Sequence, residues 1–270
     1  MVRSAKSGSD WTGDELIAYN IKIVPQTPEQ FFGAAAVAGV SLDGLDPSII
    51  TGSTTDTTNL SDTALRYFSY LDLAAHASQK SLIDDFSRET LDLLGYSERG
   101  LALSRRYNIP LTTCGDDKKN EQTDVCLVDG RTMILLILVL QEDKTVFNSS
   151  NQEPQLIAEA IAAYRYNNNK RERRGMTTLD KMVFPCITMV GTRPTFYLVP
   201  VNRALSDAVT ATGEYPPVPP TEVWKCVTVA AEHNCSSSEG MEEPVYRRVA
   251  LERFMAFKSL AKNHWENFLV

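Results

Sequence analysis

Residues 123–144, TDVCLVDGRTMILLILVLQEDK, read as two β-strands in succession. The first, residues 124–128, opens on an acid, Asp124. Asp129-Gly130 follows, a dipeptide with easy access to φ > 0 that favours a tight reversal. The second, residues 133–140, is apolar without interruption, so both its faces are expected to be buried. It runs out into Gln141-Glu142-Asp143-Lys144. Alternation along a strand puts Glu142 and Lys144 on one side, and pairing of the two strands brings Asp124 near them. Two carboxylates and an ammonium at the end of a buried strand suit one divalent cation and one charged helper. The plain structural alternative is an ion pair between Glu142 and Lys144.

Before this pair, Ser61-Asp62 supplies a helix start, because both side chains accept from free backbone N–H groups. A second helical pattern covers residues 78–94 and ends at Gly95. It carries Asp84, Asp85 and Glu89, which either face solvent or place one acid over a metal site. Arg105-Arg106 lead into a short strand, and residues 114–121 read as a charged loop. After Lys144, Pro154 opens a helix, where its missing N–H costs nothing. Leu156, Ile157, Ala160, Ile161 and Tyr164 form its apolar stripe, with Gln155 and Glu159 on another face. The helix runs into the basic stretch 167–175, NNNKRERRG, which is either a solvated helix end, an import tag or a phosphate-contacting surface. A hairpin over residues 183–201, a short helix at 204–211, a strand at 221–230 and a long helix at 241–269 follow. Residues 1–59 are expected to form a loosely packed, partly flexible arm with one strand and one short helix, and residues 60–270 the main domain. The order predicts a mixed α/β layer fold.

Composition narrows the function. The chain has 270 residues, 43% hydrophobic and 23% charged, in keeping with an ordinary globular composition. Its net charge of −7 repels nucleic acid as a whole, so such binding would need a local basic patch. Five cysteines with no CxxC, and a polar N-terminus, predict a reducing, intracellular setting, nuclear or cytoplasmic. The apolar run ending at Leu140 is too short to span a bilayer. His76, His233 and His264 have no metal-ligand spacing. No nucleophile elbow or Gly-rich phosphate loop occurs, which argues against an α/β-hydrolase or an ATPase.

The segments TTCGDDKKNEQTDVCLVDG, LLILVLQEDK, EPQLIAEAIAAY and ITMVGTRPTFYLVPV resemble a group of basidiomycete fungal proteins in the PD-(D/E)XK nuclease-like superfamily, over roughly residues 60–260. Thr123 stands where the family motif usually has proline. The resemblance implies a restriction-endonuclease-like core, a mixed sheet flanked by helices, with an added N-terminal extension. It implies magnesium or manganese held by Asp124, Glu142 and the carbonyl of Asp143, completed by Asp84 or Asp85, with Glu89 as a third choice. Lys144 would orient or activate water, and Gln155 would orient the lysine or touch substrate. Asp124, Glu142, Lys144 and Gln155 are the implied catalytic set, and the activity is phosphodiester hydrolysis of nucleic acid, DNA in preference to RNA. Lys170, Arg171, Arg173 and Arg174 are the candidate phosphate contacts. Two other readings stand beside this one: an inactive binding protein on the same fold, and a metal-dependent enzyme acting on a small substrate.

Overall fold

The two strands expected in residues 123–144 lie side by side in a seven-stranded mixed sheet. The structure, a computed structural model, describes residues 4–53, 60–77, 79–98, 100–142, 152–230 and 240–269, with the backbone alone for Gln141 and Glu142. The strands are β1 (Ile21–Pro25), β2 (Leu101–Thr113), β3 (Asp116–Asp129), β4 (Leu135–Glu142), β5 (Lys181–Val190), β6 (Arg193–Asn202) and β7 (Thr221–Val227). Their order is β1-β7-β6-β5-β4-β3-β2. β1 with β7 and β4 with β5 pair in parallel, the rest antiparallel.

The helices are α1 (Gly13–Ala18), α2 (Pro28–Phe32), α3 (Ala34–Ala38), α4 (Pro47–Thr51), α5 (Asp62–Ala75), α6 (Lys80–Leu93), α7 (Glu153–Glu172), α8 (Arg203–Thr210) and α9 (Pro244–Leu269). Helix α7 lies between β4 and β5 in the chain, as a parallel pair requires a long crossover. It covers one face of the sheet, and α6 and α9 cover the other. β6 shows the division: Phe196 meets Phe32, Phe254 and Phe257, whereas the neighbouring Tyr197 donates to Glu153 of α7. Covered on both sides, β4 is buried continuously from Leu135 to Leu140.

Two expectations are corrected. Residues 114–121 do not form a charged loop. Cys114 and Gly115, both at positive φ (50° and 77°), make a two-residue turn, and Asp116 pairs back with Thr113. One face of this hairpin is buried through Ile109, Leu111, Thr113 and Glu121, and its turn bonds through Cys114 N and Gly115 N to the end of α8, while Asp117 and Lys118 are exposed. Residues 4–53 are also not loosely packed. β1 extends the sheet, and Trp11, Leu16, Tyr19, Phe31, Phe32 and Ile49 enter the main core. Their helices are short but closed by local bonds. Thr12 with Glu15, and Thr27 with Gln30, form reciprocal capping boxes.

Arg247 of α9 ties this segment down. Its guanidinium is fully buried, stacks on Phe68, and donates to the carbonyls of Ile49, Gly52, Met241 and Glu242. Four carbonyls at the end of α4 and before α9 are thereby satisfied by one side chain.

Candidate active site

Helix α6 is capped by geometry rather than by a side chain, and its apolar residues Ile83, Phe86 and Leu91 set it on the sheet. That orientation separates its three acids. Glu89 is buried and held by Arg66 of α5, with Nε 2.7 Å from the carboxylate. Asp85 forms an ion pair with Arg105 of β2. Asp84 turns towards Asp124 of β3. It is only 7% exposed, and burial together with the charge of Asp124 pushes its carboxyl up to about 7. Arg106, Arg105 and Lys80 pull the other way without cancelling the effect.

Asp124 is half-buried. The adjacent strand brings β4 to the same place: Val125 pairs with Val139, and Glu142 ends that strand with its backbone paired to Val190 of β5. Asp143 and Lys144 lie outside the described residues, as does the side chain of Glu142. Among the described residues, no group of three or more His, Cys, Asp or Glu side chains is gathered to hold a metal ion. Carboxyl groups on both sides of the sheet, Asp84 and Glu159, feel the charge of Asp124, and hard oxygen donors of that kind suit magnesium or manganese.

Gln155 sits on the opposite side of the sheet from α6. Its Nε2 donates to Glu159 Oε1 at 3.2 Å. Glu159 is fully buried, and its Oε2 has no hydrogen-bond partner. Burial, and then the charge of Asp124, push this carboxyl well above the usual range.

The basic stretch is not at the carboxylates. Asn167 bonds both backbone groups of Leu135 at 2.8 Å, so the last turns of α7 lie at the start of β4. Val139, level with Asp124's neighbour Val125, is four residues and roughly 13 Å further along that strand. Arg171 is buried and donates to the carbonyls of Thr177 and Phe268. Lys170 lies 5.0 Å over the ring of Tyr166, and Arg174 donates to the carbonyl of Arg131. Arg173 is exposed. Arg171 is thus a structural side chain, not a phosphate contact.

A different set of arginines stands beside Asp84. Ser81, Asp84 and Arg88 of α6, with Leu103, Ser104, Arg105 and Arg106 of β2, line an open cleft of about 680 Å3. The β2–β3 ladder pairs Arg105 with Val125 and Tyr107 with Thr123, and breaks between them, at the level of Asp124. Arg106 occupies that break at φ 52°, a left-handed conformation that costs a non-glycine residue about 1–2 kcal/mol. Nothing in the run Arg105-Arg106 announces this, since the break appears only when two strands are paired.

Three cysteines are shut away from solvent. Cys126, Cys186 and Cys226 are buried free thiols, with burial pushing Cys126 up to about 12 and Cys226 up to about 11. No described helix is long and apolar enough to cross a membrane. No family model and no curated protein matches the chain.

The Asp84 environment predicts a pH-dependent stability. Folded Asp84 keeps its proton up to about pH 7, whereas an unfolded aspartate releases it near pH 4. The folded state therefore binds more protons between these values, and stability falls as pH rises through that window. Water in the cleft screens part of the penalty, leaving on the order of 2 kcal/mol above pH 7. Asp84→Asn is expected to raise the melting temperature by about 5 °C at pH 8. Near pH 4, where wild-type Asp84 is protonated in the folded state and about half protonated in the unfolded one, it should have little effect. Thermal scans at the two pH values measure this, and an equal shift at both would exclude the titration of Asp84 as the cause.

Proposed function

We propose that this protein is a metal-dependent phosphodiesterase acting on nucleic acid, built on a restriction-endonuclease-like core. The observation that carries the reading is Asp84, on the wall of an open cleft, under the charge of Asp124 on the strand beside β4. Folds do not keep two carboxylates in repulsion for stability, and such arrangements mark functional sites. The chain order also supports it: helix α6, strand β3 with Asp124, strand β4 ending at Glu142, then helix α7 with Gln155.

Asp84, Asp124 and Glu142 would hold magnesium or manganese, with the carbonyl of Asp143 as a further donor. A divalent cation bound there supplies Lewis-acid stabilisation of the charge that develops on the phosphoryl oxygens. Lys144 is assigned to orient the attacking water or offset charge at phosphorus. Gln155 is set back on α7 and bonded to Glu159, so its role is to support β3 from behind rather than to touch substrate.

Titration calorimetry with magnesium and manganese, on the wild type and on Glu142→Ala, tests the reading together with cleavage of a mixed DNA and RNA panel. Binding and cleavage by the wild type, both lost in the variant, are expected. A wild type that neither binds the cations nor cleaves any substrate would leave an inactive binding protein on the same scaffold.

A further inference from the structure

We propose that the cleft between α6 and β2 is an anion subsite for the phosphodiester backbone of nucleic acid, with Arg88, Arg105 and Arg106 as its phosphate contacts. This rests on the hydrolytic reading above and assigns it a substrate-holding surface. The chain's net charge of −7 disfavours a polyanion everywhere that positive charge is not concentrated. At this cleft three guanidinium groups from two elements converge on a space large enough for a nucleotide unit. Each presents planar forked donors that match phosphate oxygens. Ser81 and Ser104 add hydroxyls to the same wall.

The three arginines differ in what holds them. Arg105 is anchored by Asp85 and keeps half its surface exposed. Arg88 and Arg106 are exposed, and neither makes an ion pair among the described residues. Arg106 also sits at the break in the ladder in a left-handed conformation. Such irregularities beside a site re-aim a side chain. Here the conformation is kept although glycine would relieve it. The basic stretch at the end of α7 lies at the other end of β4 and spends Arg171 on carbonyl oxygens, so it does not replace this cleft.

The one acid lining the cleft, Asp84, opposes a phosphate when ionised, so binding should tighten when it is neutralised. Fluorescence anisotropy with a labelled single-stranded DNA and the matching duplex, in EDTA, measures binding without turnover. The double variant Arg88→Ala/Arg106→Gly is expected to bind at least tenfold more weakly than the wild type. Its dependence of log affinity on log salt should be shallower by about two phosphate contacts. Because glycine suits the backbone at position 106, its melting temperature should not fall through that substitution. Asp84→Asn should bind more tightly, and Lys170→Ala/Arg173→Ala should bind like the wild type.

A wild type that fails to bind either DNA, a double variant that binds like the wild type, or an equal loss in the Lys170/Arg173 variant would overturn the proposal. The two readings fail separately. Binding that depends on Arg88 and Arg106 without any metal-dependent cleavage keeps the subsite and removes the hydrolase. Cleavage with an unchanged KM in the double variant keeps the hydrolase and removes the subsite.

Discussion

Asp124→Asn is expected to reduce metal-dependent cleavage of nucleic acid by about a thousandfold or more while raising the stability of the fold. The two effects come from one change. An amide keeps the size of the carboxylate and one of its oxygen acceptors but removes its charge. A divalent cation held between Asp84 and the new amide would lose half of the described charge that faces it, and several kcal/mol of transition-state stabilisation go with it. Without the cation, Asp124 is one of the two causes that raise the Asp84 carboxyl. Removing its charge should lower that carboxyl and relieve a like-charge contact of about 1 kcal/mol at pH 8. At pH 5, where Asp84 is protonated, the gain should shrink towards zero. Cleavage assays and thermal scans on one protein sample read both effects. Retained cleavage would remove Asp124 from the site, and a stability loss at pH 8 would show that its contacts outweigh the repulsion.

Arg247→Met is expected to produce the largest loss of stability of any substitution discussed, about 3 kcal/mol or more. Methionine fills much of the same volume, so the loss is not that of a cavity. It comes from the carbonyls of Ile49, Gly52, Met241 and Glu242, which lose their shared donor, those of Ile49 and Met241 on fully buried residues. Burial already lowers the affinity of this guanidinium for its proton, and no carboxylate ion pair compensates it among the described residues. Its value is therefore the set of hydrogen bonds and the stack on Phe68. A fall in melting temperature of about 10 °C follows for a chain of this size. Arg247→Lys, with one ammonium in place of a fork, should fall in between. A shift under about 2 °C for the methionine variant would mean that water or rearranged backbone satisfies the carbonyls.

Much of the architecture was legible in short patterns. Ser61 caps α5 as its side chain predicts, accepting from Ala64 N. Pro154 stands in the first turn of α7, and residues 135–140 of the apolar run form the buried part of β4, while Met133 stays exposed in the turn before it. These succeed because caps, proline placement and double-sided burial are local properties of the chain. The turn after Asp129 is longer than the tight reversal expected at Asp129-Gly130: the positive φ falls at Met133 (60°), not at Gly130, and the Asp129 carboxylate accepts from Thr132 N at 2.7 Å. The strand ahead of it extends much further back than its apolar residues suggest, because its buried face there is filled by Glu121 and Thr123 rather than by apolar side chains.

Local patterns in the chain were enough to specify the α/β class, the strand pair around Asp129-Gly130, and the placement of Asp124 and Glu142 on adjacent strands. They also contained three equivalent acids on one helix, with nothing to rank them, and a basic stretch at 170–174 whose place in the fold no local pattern fixed. Tertiary packing made the choice. The rotation of α6 on the sheet gives Glu89 to Arg66, Asp85 to Arg105 and Asp84 to Asp124. The crossover of α7 carries residues 170–174 away from the carboxylates, and pairing of β2 with β3 sets Arg106 in the break beside them. Long-range register decides which charges meet, and a charge acquires a role only from the burial and the neighbours that register provides.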